Sequence, residues 1–435
     1  MSAILDFPVK PEARPYLDAF KGTAGEPEWL AGFRKQGLSR FAELGFPTRR
    51  SESWRYLDLQ PLQKQPLQKQ PLLPAEPGTL AAVPPELGFD GAWARVVLVD
   101  GICDVAMSWP PPQGVWLGSM RRAIIERPDL VRAAAASDSG AEHPFAALNA
   151  ALFADGFVLD IAPGVAIDEP IEVVHFAATP GSSHTRSLVN LGAGSRATIL
   201  ETYDGSGRYW RNDFASWRLG EGASLTRIAL VEEGPDAVHL GEVAATLGTK
   251  AKLNSFALLL GGGTVRHEAS VRMVGEGAEC HLDGGFVVDR TEEANIVTNV
   301  DHQVPHGTTR ELIKGVAAGR AHGAFQGKIT VREGAQKVDA HQMSRNLILG
   351  GRAVIDTKPE LEIYADDVKC AHGASVGELD EAALFYLRTR GIPDAEARHM
   401  LIEGFLREPV EEIADPALRE YLLRRLARRL ERLEE

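Results

Sequence analysis

Cys370 and His372 stand two residues apart within the stretch 358–375, KPELEIYADDVKCAHGAS, at the end of a strand-like run. A thiolate and an imidazole at that spacing are ligands for zinc, iron or an iron–sulfur cluster. In an extended chain residues i and i+2 share a face, so Val368, Cys370 and His372 line one side while Lys369 and Ala371 take the other. Sites of this chemistry usually take four ligands, so the pair offers half of one at most, and a second surface would have to supply the rest. The residues alone leave a bland alternative open, in which Cys370 packs as a small hydrophobe and His372 satisfies a turn.

The elements that must carry this pair are announced by a ladder of glycines. Gly164, Gly192, Gly220, Gly248, Gly275, Gly307 and Gly334 are separated by 28, 28, 28, 27, 32 and 27 residues. The text around them recurs as LGAGSRATI, LGEGASLTRI, LGTKAKLNSF, VGEGAECHL and REGAQKVDA, each a tight turn followed by a strand-like run. A fixed period with strands and few helical stretches predicts a β-solenoid, one repeat to a coil. At a strand separation of about 4.8 Å, seven or eight coils would span about 35–40 Å, wound right-handed.

Aligned repeats give columns that read as faces. Ala197, Leu225, Leu253 and Cys280 form one that points inward; Thr198, Thr226, Asn254 and His281 form the next, pointing outward. Cys280 is therefore expected in the core. Cys370 and His372 fall on the last coil, an edge of unpaired backbone groups that must be capped or paired.

A chain of 435 residues exceeds the usual single core, so several domains or an elongated repeat fold is expected. Its net charge of −13, from 47 Lys and Arg against 60 Asp and Glu, argues against nucleic acid or an anionic membrane as the main partner. The opening MSAILDFPVKPEARP lacks a basic and apolar leader pattern, and no run approaches the roughly 18 apolar residues of a membrane span; a cytoplasmic location is expected. Cys103, Cys280 and Cys370 are too few and too scattered for a disulfide framework.

Three regions are expected. Residues 1–90 hold a helical region, with Trp29, Phe33, Leu38, Phe41 and Leu44 at helical spacing and Pro8, Pro11, Pro15 and Pro47 breaking it, then a Pro-rich linker with QPLQK duplicated at Gln60–Lys64 and Gln65–Lys69. Residues 91–375 hold the β-helix core. Residues 376–435 turn helical, with Asp380 near an N-cap, Gly391 as a stop, Pro393 as a new start and Pro409 as its close. In the tail, Leu422, Leu426, Leu430 and Leu433 form one stripe; Arg424, Arg425, Arg428 and Arg432 read as a solvated surface or a docking face for an acidic partner.

Other constellations carry less. No G-x-x-x-x-G-K-[ST] occurs, so no nucleotide is expected to bind this chain, and the G-x-G-x-x-A at Gly192–Ala197 leads into a strand as turn punctuation. Asp301, His302, His306, His322 and His341 lack ligand spacing, and the adjacent Asp366 and Asp367 point to opposite faces of a strand.

The run DHQVPHGTTRELIKGVAAGRAHGAFQGKITVREGAQKVDAHQMSRNLIL, followed by DTKPELEIYADDVKCAHGASVGELDEAALFYLRTRGI, resembles the SufB/SufD family of the SUF iron–sulfur cluster assembly machinery, from about Gly164 to Arg407. Within it, KCAHGAS with LFYLRTRGI, and ESWRYLDL at Glu52–Leu59, are similar to the SufD branch. The resemblance implies a mainly β fold, a right-handed parallel β-helix flanked by N-terminal and C-terminal helical regions. It implies a non-catalytic scaffold subunit that pairs with SufB through the terminal coils and takes the ABC-type ATPase SufC on its C-terminal helices, and it leaves open a homodimer when SufB is absent. It also implies a transient iron–sulfur cluster at the shared interface, with His372 as the ligand from this chain, Cys370 at a typical family position, and a cysteine and a carboxylate from SufB. ATP-driven dimerisation of SufC would then shift that interface. The rival reading, a stand-alone β-helix carbohydrate-active enzyme, would want a secretion signal and aromatic platforms, and aromatics make up only 7% of the chain. A membrane permease subunit is excluded by the missing apolar spans.

Overall fold

A computed structural model describes residues 9–11, 13–20, 22, 25–59, 62, 84, 87–107, 110–137 and 143–433. Apart from Leu62, the duplicated QPLQK tract lies outside the described residues. The strands are β1 (Ala94–Val99), β2 (Ile102–Met107), β3 (Val115–Ser119), β4 (Phe157–Ile161), β5 (Ile171–Ala177), β6 (Gly181–Leu191), β7 (Arg196–Gly205), β8 (Tyr209–Leu219) and β9 (Ser224–Glu232). They continue as β10 (Val238–Leu247), β11 (Lys252–Gly261), β12 (Thr264–Met273), β13 (Glu279–Val288), β14 (Glu293–His302), β15 (Thr308–Ala317), β16 (His322–Val331), β17 (Asp339–Ile348), β18 (Val354–Ile363) and β19 (Lys369–Gly377).

Successive strands from β4 onward alternate between two sheets, and each pairs in parallel with the strand two further along. The odd sheet runs β19-β17-β15-β13-β11-β9-β7-β5-β1-β2 and the even sheet β18-β16-β14-β12-β10-β8-β6-β4-β3. Two strands and their turns thus make one coil, which is why the glycine period is near 28 residues. The first coil is closed by antiparallel pairs, β1 with β2 and β3 with β4, so that end is covered by the chain itself.

The predicted columns hold. Ala197 is in register with Leu225, Leu225 with Leu253, and Leu253 with Cys280, and all four are buried. Four of the ladder glycines, Gly192, Gly220, Gly248 and Gly275, serve a purpose different from the one their turn context suggests. At Gly192 a Cβ would come within 2.5 Å of Pro163 N of the coil below, so glycine is required for close stacking. The left-handed residue of that turn is Gly194, at φ +65°, and its N–H donates to Glu221 O of the next turn at 2.7 Å. Gly192, Gly220, Gly248 and Gly275 thus mark coil-to-coil approach, whereas Gly164 takes the left-handed turn conformation itself, at φ +74° with open space around it.

Helices cover the outer faces of both sheets. On the N-terminal side lie α1 (Arg14–Asp18), α2 (Glu28–Leu44), α3 (Met120–Glu126), α4 (Pro128–Ser137) and α5 (Pro144–Leu152). The last three interrupt the strands between β3 and β4, a feature the glycine ladder does not announce. Tyr16, Phe41, Phe46, Trp54 and Phe145 pack together against Trp210 of the even sheet. The ESWRYLDL segment contributes Trp54, over which Arg266 stacks at 4.1 Å, and Ser53, whose carbonyl accepts from Arg266 Nη1 at 2.8 Å.

On the C-terminal side lie α6 (Glu381–Thr389), α7 (Asp394–Glu411) and α8 (Pro416–Leu430). Asp380 caps α6 by accepting from Ala382 N and Ala383 N, and Gly391 turns the chain at φ +87°. Pro409 sits in the last turn of α7 rather than ending it beforehand. Ile402, Leu406 and Val410 of α7 and Leu418, Leu422, Leu426 and Leu430 of α8 pack against Leu200, Ile228, Phe256 and Leu258 on the outer face of the odd sheet. Arg425 does not belong to a solvated face: it is buried and donates to Glu232 Oε2 at 2.5 Å, tying α8 to β9. No helix among the described residues is long and apolar enough to cross a membrane.

Candidate functional site at the last coil

The inward column that holds Cys280 continues through Thr309 and Ala340 to Cys370. Cys280 is fully buried in the middle of the stack, whereas Cys370 is half-buried and packs against the end of the same core. His372, two residues along the same face, follows Leu282, Glu311 and Gln342 in the neighbouring inward column. Its side chain is exposed because no coil lies beyond it. The strand alternation thus brings both residues to the open mouth of the solenoid, and neither is diverted to the outer surface.

Burial pushes the Cys370 thiol up, as does the Asp339 carboxylate, against a hydrogen bond from the Ala340 backbone that pulls the other way. Its placement thus disfavours the thiolate. Among the described residues no group of three or more His, Cys, Asp or Glu side chains is placed to hold a metal ion. Cys370 and His372 are a thiol and an imidazole side by side on one strand face, and belong to no such group among the described residues.

Around them the edge is bare. β18 and β19 each end a sheet, with unpaired backbone groups along one side. Val354, Ile363, Tyr364 and Val376 are large apolar side chains exposed on or beside these two strands. A second exposed group, Phe385, Tyr386 and Met400, lies on α6 and α7, where only Leu384 of α6 is buried. These two clusters account for most of the exposed large hydrophobics of the described chain, and both belong to its C-terminal third.

His302, His306, His322 and His341 each sit in a local setting of their own. His302 is buried, hydrogen-bonds Thr309 Oγ1 at 2.9 Å and is pushed down to about 4 by burial. His322 meets Asp356 at 2.8 Å and His341 meets Asp339 at 3.0 Å. His306 occupies a turn at φ 62°.

A buried polar cluster that no sequence motif announces lies inside the solenoid. Arg211 Nε donates to Glu233 Oε1 at 2.7 Å, and His239 Nδ1 reaches the same oxygen at 3.0 Å, all three fully buried. Burial pushes Glu233 up, but Arg211 and His239 outweigh it and hold the carboxyl down at about 2. Arg227 Nε donates to Glu201 Oε2 at 2.6 Å, and its Nη1 to His267 Nε2 at 2.7 Å. Apart from Glu233, which follows the end of β9, their inward strand positions were available as a signal; the partners across the interior were not.

Comparison with known proteins agrees with this geometry. The family model for the SUF system FeS cluster assembly SufBD core domain matches residues 175–405, more than half of the chain, and that for the SufBD protein N-terminal region matches residues 100–173. The chain is 28% identical to the iron–sulfur cluster assembly protein SufD of Escherichia coli (strain K12), covering 95% of each. It is 26% identical to the protein of the same name from Bacillus subtilis (strain 168), over 95% of this chain and 97% of that one. An iron–sulfur cluster assembly SufBD family protein of Synechocystis is 27% identical over 89% of this chain. A parallel β-helix with helices at both ends, bearing Cys370 and His372 at its open coil, therefore belongs to the SufB/SufD family of iron–sulfur cluster assembly proteins.

Proposed function

We propose that this chain is the SufD-type scaffold of a SUF assembly complex, and that the free edge of its last coil is where SufB docks. The observation that carries this reading is the coincidence, on β18 and β19, of unpaired backbone, exposed apolar side chains and a thiol–imidazole pair. Strand addition would satisfy the edge and cover Val354, Ile363, Tyr364 and Val376. The same event would bring a second set of ligands to Cys370 and His372. Imidazole and thiolate are suitable donors for iron and for a nascent iron–sulfur cluster, which is cargo here. His372 is the exposed donor and the main candidate; Cys370, half-sunk in the core, is a secondary one whose packing alone would account for it.

SufC is assigned to the C-terminal helices, where Phe385, Tyr386 and Met400 await cover. Lys314 Nζ, which donates to Phe405 O at 2.8 Å and pairs with Glu408, links α7 to β15, so a force on these helices reaches the coils near the open end. In this reading the chain catalyses no reaction of its own and works in the cytoplasm.

The test is His372→Ala in a chain co-expressed with SufB and SufC. The complex should be recovered intact while its bound iron and sulfide fall to background. Undiminished iron and sulfide in an intact complex would remove His372 from the site.

A further inference from the structure

Beneath His372 lies a side chain with an unused hydrogen-bonding atom. Gln342 pairs in register with His372, and the strand separation of about 4.8 Å places it one coil below on the same inward face. It is only 2% exposed. Its Nε2 donates to Glu311 Oε2 at 2.6 Å, and Thr298 Oγ1 donates to the same oxygen at 3.0 Å. Its amide spans to the even sheet, where a Cβ on Gly327 would collide with it. The amide is thus held by Glu311 on one side and fitted against a glycine on the other. Gln342 Oε1 is left buried with no hydrogen-bond partner among the described residues. No hydrogen bond to the His372 ring is found among them either.

A buried acceptor without a donor is costly, and native structures rarely leave one without a purpose. A ligating histidine, for its part, almost always donates its second ring N–H to a carbonyl or carboxylate, which fixes both tautomer and ring plane. The two incomplete groups are complementary.

We propose that Gln342 is a positioning residue for His372: its Oε1 accepts the N–H of one ring nitrogen, so that the other, unprotonated nitrogen faces the open end of the solenoid. This rests on the reading of His372 as a ligand. Glu311 acts one step further back, by orienting the amide so that oxygen rather than nitrogen faces the histidine. The pair Cys370–His372 is then backed by a built support rather than by solvent.

The experiment is long-range 1H–15N NMR of the full chain, labelled at histidine, with the His372 signals assigned through His372→Ala. Wild-type His372 should show one neutral tautomer, with one protonated and one unprotonated ring nitrogen. Gln342→Met keeps the shape but removes the acceptor, and should collapse the two shifts toward the average of a free imidazole. Signals of the buried His302 serve as the control for folding in each variant. Averaged shifts for His372 in the wild type, or a single tautomer that survives Gln342→Met, would overturn the proposal. In the complex with SufB and SufC, Gln342→Met should lower iron affinity about 10- to 100-fold. Because the NMR is read on the chain alone, its failure is separable from loss of the ligand role, which the iron content of the His372→Ala complex reports.

Discussion

Cys280 and Cys370 occupy the same inward column, three coils apart, yet one is sealed and the other stands at an opening. Residue type and strand position are the same; only the number of coils stacked above differs. The polar interior shows the same contrast. Around Arg211 and Glu233 the charges are closed in and paired with one another, while the column Glu311, Gln342, His372 runs from buried to exposed and ends unpaired. In a solenoid, distance from the end decides whether a side chain is structure or is available for chemistry.

The largest effect should come from breaking the closed region. Glu233→Ala strands the Arg211 guanidinium in the core, and chemical denaturation should show a loss of about 3–5 kcal/mol. A loss below 1 kcal/mol would mean that the interior polar cluster is wet and adaptable rather than closed.

The open end should respond in the opposite sense. Burial raises the Glu311 carboxyl to about 7, with the hydrogen bonds from Gln342 and Thr298 only partly offsetting it. The fold therefore favours the protonated form, so this group's contribution is fully present below about pH 4.5 and is lost as pH rises through 7. Glu311→Gln should remove that decline and, at pH 8, stabilise the chain by up to about 3 kcal/mol. An equal slope of stability against pH in both proteins between pH 5 and 8 would refute the assignment.

Thiol modification sharpens the comparison within one column. Cys370 should react with a small alkylating reagent in the native chain, on the order of 100-fold faster than Cys280, which must wait for unfolding. Equal rates would show that the last coil is covered or that the stack opens readily. The smallest effect belongs to the surface: Lys337→Ala, which removes the exposed pair with Asp367 beside the last coil, should change stability by less than about 1 kcal/mol.

Much of this was legible from spacing. The glycine period gave the coils, and period-2 columns placed Ala197, Leu225, Leu253 and Cys280 inside, because identical coils repeat identical packing problems. Extending the column to Cys370 and His372 needed only the same register. What spacing could not reveal is how the two sheets meet across the interior. Gln342 reaches Gly327 on the opposite sheet, and Arg211 finds Glu233 beyond the end of the next strand; neither contact follows from a period of 2 or of 28. The helices α3 to α5 were missed because they are short and precede the ladder, where no repeat frames them. The buried role of Arg425 escaped because a helical stripe drawn from leucines alone leaves every arginine outside the chain's own core, facing solvent or a partner, whereas Arg425 meets Glu232 of β9.

The central claim is that the free edge of the last coil is completed by a partner's strand. Hydrogen exchange of the amides on the free edge of β19, measured with the chain alone and again with SufB added, tests it most directly. The account predicts fast exchange alone and strong protection in the complex, while the amides of β13 stay protected in both. Complex formation that leaves the β19 edge exchanging as fast as before would place the partner elsewhere and contradict the account.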